Sequence, residues 1–187
     1  MAPSFVRTKR PGKPEKKGRG EREEKSPKPE LTAIERALKL IAFRSRTARE
    51  LDLALQKRKV PPDERAAALA RMRELGYIDD ATLAGARARG LISKGDSPRL
   101  VSRRLQMQGI AASLSDAAAK DAAEGQTDDE LAVQALAKRL RGRPVRDEKD
   151  RQRLMRALVQ HGHRPGSVAK ALKLSLESSG DVDEDGE

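Results

Sequence analysis

Gly76-Tyr77-Ile78-Asp79-Asp80 opens the stretch that decides how this chain folds. Gly95-Asp96-Ser97-Pro98-Arg99-Leu100-Val101 continues it, and Leu105-Gln106-Met107-Gln108-Gly109-Ile110 closes it. Gly76, Gly95 and Gly109 are stop signals, because the residue after a last helical turn commonly takes a left-handed conformation that suits glycine. Asp79 or Asp80 supplies an N-cap, its carboxylate accepting from the free amides of a first turn. Ser97-Pro98 is an N-cap followed by proline at the first helical position, where the missing N–H has no partner to lose. Between these signals Leu83, Ala84, Ala88, Leu91 and Ile92, then Val101 and Leu105, recur at helical spacing. Two short helices are predicted, with an alanine-rich third over about 113–124 that stops at Gly125.

The same plan appears on both sides. Upstream, Thr32-Ala33-Ile34-Glu35 and Thr47-Ala48-Arg49-Glu50 are capping boxes, in which the threonine oxygen accepts the third amide and the glutamate reaches back. The first is followed by the apolar face Ile34, Ala37, Leu38 and Ile41, the second by Leu51 and Leu55. Val60-Pro61-Pro62-Asp63 then breaks the chain and starts a helix carrying Leu69, Met72 and Leu75. Downstream, Thr127-Asp128-Asp129-Glu130 is a third box, before Leu131, Ala132, Ala135, Leu136 and Leu140, with Gly142 and Pro144 as terminators. Asp147 caps a helix with Leu154 and Leu158 that stops at Gly162, and Pro165 opens the last, with Val168, Leu172 and Leu176.

The middle helices of the three rounds align without gaps. Leu51, Leu55 and Lys59 match Val101, Leu105 and Gly109, and then Leu154, Leu158 and Gly162. Leu69, Ala119 and Leu172 match ten positions further on. A repeat of about fifty residues means stacked supersecondary units, none able to bury its apolar face alone. The expected organisation is three units at about 31–78, 79–125 and 126–176. Lys59 stands where the pattern expects glycine.

Composition agrees with helix. Hydrophobic residues make up 36% of the 187 and charged residues 37%, with one Tyr, two Phe and no Trp. Leu and Ala favour helices, and the β-branched and aromatic residues that sheets prefer are scarce. The net charge of +11 and pI near 10.2 point to an anionic partner, nucleic acid above all. With no cysteine, disulfides, thiolate metal sites and cysteine nucleophiles are excluded. No apolar run approaches the ~18 residues of a membrane span, and the basic N-terminus lacks the apolar core of a secretory signal. A cytoplasmic location is expected. Residues 1–30 hold ten Lys or Arg, five Glu and five prolines, and 177–187 hold six acidic residues and no basic one. Both compositions predict disordered tails.

Gly76-Tyr77-Ile78-Asp79-Asp80 followed by Ala84 resembles the signature of the RecX family, in which a glycine, an aromatic residue and a double aspartate lie between the first and second repeats. Gly95, Arg99-Leu100, Leu105 and Gly109-Ile110 resemble a further family segment, and Ala37-Leu38, Arg44, Glu50-Leu51 and Leu55 its opening. The resemblance spans about residues 31–175. Leu83 departs from it where an aromatic residue is usual, His163 where an apolar one is usual, and Lys59 where glycine is. It implies an all-α protein of three tandem three-helix units in an elongated, curved array. It further implies a non-enzymatic regulator that lies in the groove of the RecA–DNA filament and depresses ATPase, strand exchange and co-protease activity in recombination and repair. A RecA filament, with single- or double-stranded DNA touched through basic surface, is then the expected partner, for a monomer that needs no cofactor. A helical DNA- or RNA-binding module acting without RecA is the alternative.

The residues that would carry such binding are basic. Arg99 and Arg103, four apart on one helix, share a face, with Arg104 beside them and Arg87 on the preceding helix. Arg44 and Arg46, and then Lys138, Arg139 and Arg141, give corresponding patches in the flanking units. Guanidinium forks suit phosphate and carboxylate alike. Gly76, Tyr77, Asp79 and Asp80 are expected to form a structural junction, Tyr77 packing in a core or between repeats and one aspartate capping a helix. His161 and His163 are expected on the surface, since a metal would need a third ligand. Gly90 and Gly95 have P-loop spacing but lack its Lys-Ser/Thr end and a preceding strand, which excludes a phosphate loop.

Overall fold

Capping chemistry places the helices. The structure is a computed structural model that describes residues 31–180, so the expectations for segment 1–30 and for the residues after 180 lie outside the described residues. Within it α1 spans Ala33–Phe43, α2 Ala48–Gln56, α3 Pro62–Glu74, α4 Asp80–Ile92, α5 Pro98–Met107, α6 Ala112–Ala122, α7 Asp128–Leu140, α8 Glu148–Gln160 and α9 Pro165–Gly180. The described residues form nine helices and no strand. All three capping boxes close, at Thr32, Thr47 and Thr127. Asp79, Ser97 and Asp147 accept first-turn amides of α4, α5 and α8. α9 runs to Gly180, past the residue 176 at which the sequence reading ends the helical part.

The helices pack in threes. α1–α3, α4–α6 and α7–α9 each close on themselves, and each triplet holds its own apolar cluster. Leu51 and Leu55 lie at the centre of the first, Val101 and Leu105 of the second, Leu154 and Leu158 of the third. Burying such a side chain stabilises by about 1.5–3 kcal/mol, so the aligned middle helices anchor their units. Between these pairs and the last helix of each unit runs the same turn. The amides of Val60, Ile110 and His163 donate to the carbonyls of Leu55, Leu105 and Leu158 at 3.3, 3.2 and 3.2 Å. Lys59, Gly109 and Gly162 take the left-handed conformation just before, with φ of 59, 87 and 86°.

Three expectations fail here. In α1 the buried face is Ala33, Ala37 and Leu40, while Ile34 and Leu38 are 37% and 36% exposed. Two neighbouring stripes both satisfy helical spacing, and the alanine stripe wins because it lets α1 approach its neighbours closely. Leu75 lies beyond the last full turn of α3 and is 47% exposed. Tyr77 is 53% exposed rather than packed in a core. After the left-handed Gly76 the next inward position belongs to Ile78, whose amide reaches the Met72 carbonyl at 3.3 Å.

The units meet through polar joints, built the same way twice. The Thr47 hydroxyl, at the amino end of α2, donates to the Gln108 carbonyl at the end of α5 at 2.8 Å. One unit on, the Ser97 amide, at the amino end of α5, donates to the His161 carbonyl at the end of α8 at 2.8 Å. The amino end of each middle helix thus receives the carboxyl end of the next, with opposite ends of the macrodipoles together. The approach is close. A Cβ on Gly109 would lie 2.5 Å from Arg49 Cβ, and one on Gly162 would lie 2.7 Å from Leu100 Cβ. Lys59, at the equivalent turn of the first unit, is exposed. At the other end α8 begins three residues earlier than its counterparts. Asp150, aligned with Thr47 and Ser97, is buried there and bonded within its own unit by Arg143.

Candidate functional site

Four of the eight arginines singled out in the sequence are engaged within the fold, three of them by carboxylates. Arg87 reaches across the first joint, donating to Glu50 at 2.9 Å, to the Gln108 side chain and to the Ser45 carbonyl at 3.3 Å. Arg44 lies 3.6 Å from the same Glu50. Burial raises the Glu50 carboxyl, but hydrogen bonds from Arg87 and the Thr47 amide, with the Arg87 and Arg44 charges, outweigh it and hold the pKa below the ordinary value. Arg46 is half-buried and donates to the Leu40 carbonyl at 3.3 Å. Arg104 is paired with Asp96, itself 1% exposed. Arg44, Arg46, Arg87 and Arg104 therefore serve the turns and joints of the stack. Glu50 was legible in the sequence as part of a capping box, but neither it nor Asp96 was read there as a partner of these arginines.

The double aspartate divides its work. Asp79 caps α4, accepting from the amides of Ala81 and Thr82 at 3.0 Å each, and the Thr82 hydroxyl and amide hold its carboxyl below the ordinary value. Asp80 accepts from the Ala48 amide at 3.0 Å and so crosses to the amino end of α2. Gly76 makes the turn before them, and Tyr77 projects outward.

His163 is not a surface residue, and His161 is half-buried and paired rather than free on the surface. His163 is 2% exposed, with Nε2 3.0 Å from the Gly95 carbonyl and Nδ1 3.3 Å from Asp128. His161 Nδ1 lies 2.6 Å from Asp96. Together they build the second joint. The signal was present in the alignment, since His163 falls where Val60 and Ile110 are buried. Among the described residues no group of three or more His, Asp or Glu is placed to hold a metal.

Of the cations singled out in the sequence, Arg99, Arg103, Arg139 and Arg141 have no hydrogen-bond or ion-pair partner among the described residues. Arg99 and Arg103 are exposed on α5, and Arg99 lines a shallow cleft with Lys120 and Asp116. Arg139 and Arg141 lie at the end of α7, where Lys138 donates to the Ser93 carbonyl at 3.2 Å. They line a cleft with Arg143 and Arg153, both held by the buried Asp150 at 2.8 and 2.6 Å. The Arg143 hydrogen bond, with smaller help from the Arg146 amide and Arg153, outweighs burial and lowers the Asp150 pKa to about 2. Asp150 thus remains anionic and orients two guanidinium groups beside two free ones.

Three-helix units coupled in series, with unneutralised guanidinium groups on their surface, define a helical-repeat protein. Comparison with known proteins narrows the class. The RecX first three-helix domain matches residues 33–72. Regulatory protein RecX of Streptomyces coelicolor is 30% identical over 149 residues, 77% of this chain and 77% of its own length. That of Mycolicibacterium smegmatis is 31% identical over 144 residues, 74% of this chain and 77% of its own. A crystal structure of RecX from Lactobacillus salivarius shares the fold, with a TM-score of 0.56 at 20% identity over 76% of this chain and 95% of that one. The chain belongs to the RecX family of regulatory proteins. No helix among the described residues is long and apolar enough to cross a membrane.

Proposed function

We propose that this chain is a regulator of the RecA recombinase that binds the RecA–DNA filament and restrains it, lowering ATP hydrolysis, strand exchange and co-protease activity. Membership in the RecX family, carried by relatives named as regulatory proteins, is the observation on which this rests. A serial stack of similar units suits a partner that itself repeats, since each unit meets an equivalent surface. Bound along the filament as a monomer, it acts by contact rather than by catalysis, bridging neighbouring RecA subunits and opposing the motions that turnover requires. The cytoplasm, where such filaments form on DNA, is the place of action. DNA-dependent ATP hydrolysis by RecA, measured with increasing amounts of this protein, is expected to fall. An unchanged rate, together with no co-sedimentation with filaments, overturns the reading.

The unpartnered arginines favour direct contact with nucleic acid as well. A module acting on bare nucleic acid alone would bind it with steep salt dependence and bind filaments no better. Weak binding to bare DNA beside strong binding to filaments supports the RecA reading.

A further inference from the structure

The basic patches look alike in sequence and differ in their electrostatics. The cleft beside α2 and α4 contains Arg44, Arg87 and Lys94, but also Glu50, which engages both arginines. The cleft at the end of α7 is different. It has a volume of about 470 Å³ and is lined by Lys138, Arg139, Arg141, Arg143 and Arg153. One carboxylate stands against these five cations, and Asp150 lies beneath them, its hydrogen bonds taken by Arg143, Arg153 and the Arg146 amide. Arg141 ends α7 in a left-handed conformation, φ 51°, and Gly142 follows at φ 82°. The chain doubles back there, so that Arg143 faces Asp150 while Arg139 and Arg141 stay exposed and unpaired.

We propose that this cleft is a binding site for the phosphodiester backbone of nucleic acid, with Arg139 and Arg141 as its contacts and Arg143 and Arg153 as prepositioned support. The chemistry favours phosphate over an acidic peptide. Protein hot spots need a desolvated apolar pocket for an anchoring side chain, and the apolar lining here is only Leu154 and Ala157, with Leu154 committed to its own core. Guanidinium forks match phosphate oxygens, and the cleft contains no aromatic ring on which a base would stack. Recognition is therefore of the backbone, independent of sequence. This inference rests on the reading that the protein works at a nucleic-acid filament, and it names the surface that meets the strand.

The test uses the full chain and a fluorescein-labelled oligothymidylate without RecA, so its outcome is separate from that of the ATPase experiment. Arg139→Ala with Arg141→Ala removes two cations that have no partner, so the thermal unfolding midpoint should not move. Affinity is expected to fall about tenfold, and the slope of log K against log[salt] to shrink by about 1.4, two phosphates at about 0.7 each on a single strand. Arg71→Ala with Arg73→Ala removes the same charge from α3 and is expected to leave the slope nearly unchanged. Equal losses in the two double variants would reduce the effect to net charge and overturn the proposal. So would a slope in the α7 variant equal to that of the natural protein. Displacement of the oligonucleotide by polyglutamate as readily as by unlabelled oligothymidylate would overturn the phosphate assignment.

Discussion

Gly109 and Gly162 carry more than their turns. Each takes a left-handed conformation, and each lies against the preceding unit so closely that a Cβ has no room. Gly162→Ala should lower stability to urea by about 2 kcal/mol or more, since a left-handed alanine alone costs about 1–2 kcal/mol and the contact with Leu100 adds to it. Lys59 occupies the same turn and is exposed, so Lys59→Gly should change stability by less than about 1 kcal/mol, toward greater stability. A loss in Gly162→Ala no larger than the gain in Lys59→Gly would show that the close approach does not matter. Asp150 gives a prediction in pH. Its folded pKa of about 2 lies below the ordinary 3.8, so the ionised form stabilises the fold. That contribution is complete above 3.8 and is lost as pH falls through about 2. Thermal unfolding followed over this range should show a decline that is shallower in Asp150→Asn, whose amide does not titrate.

At the scale of the elements, the joints do work that neighbouring helices alone do not. Thr47 caps α2 and also donates its hydroxyl to the Gln108 carbonyl of the next unit. Thr47→Ala should cost about 1–2 kcal/mol as a lost cap, and more here because a carbonyl at a buried joint loses its donor. Thr47→Ser keeps both bonds and should recover most of the loss in the same denaturation experiment. The capping box was legible from Thr47 and Glu50 alone, because capping is a local interaction three residues long. The bond to Gln108 was not, because sixty-one residues separate its partners. His163 shows the same division. Its alignment with Val60 and Ile110 marked an inward position, but its identity as a polar residue suggested the surface. Burial is possible because the Gly95 carbonyl and Asp128 receive its ring nitrogens, and both were assembled by packing.

At the scale of the whole molecule, three separate apolar clusters are linked by polar joints. Stability in such a chain is a sum of unit and interface contributions. Leu158→Ala, at the centre of the third cluster, should cost about 2–5 kcal/mol. Amide exchange should then rise through α7–α9 while α1–α3 retain their protection, as expected when local opening follows structural units. Uniform acceleration over the described residues would mean that the joints make the stack fold as one. The first and third units differ from the second in how their turns are finished. In the first unit the Lys59 turn is exposed, and in the third the three extra residues at the start of α8 bring Asp150 into contact with Arg143.

What the sequence determined by itself was everything set by near neighbours: helix starts at threonine, serine and aspartate caps, stops at glycine, the apolar spacing of the middle helices and the repeat that relates them. These need only contacts a few residues long, and the RecX resemblance rests on the same residues. Which arginines remain free was decided by tertiary structure. Arg44, Arg87, Arg104, Arg139 and Arg141 are equivalent as residues in a basic chain. Glu50 and Asp96 neutralise the first three after folding, while Asp150, buried beside α7, engages Arg143 and Arg153 and leaves Arg139 and Arg141 exposed. Charge belongs to the sequence, but its availability to a partner depends on which carboxylates the fold brings within reach.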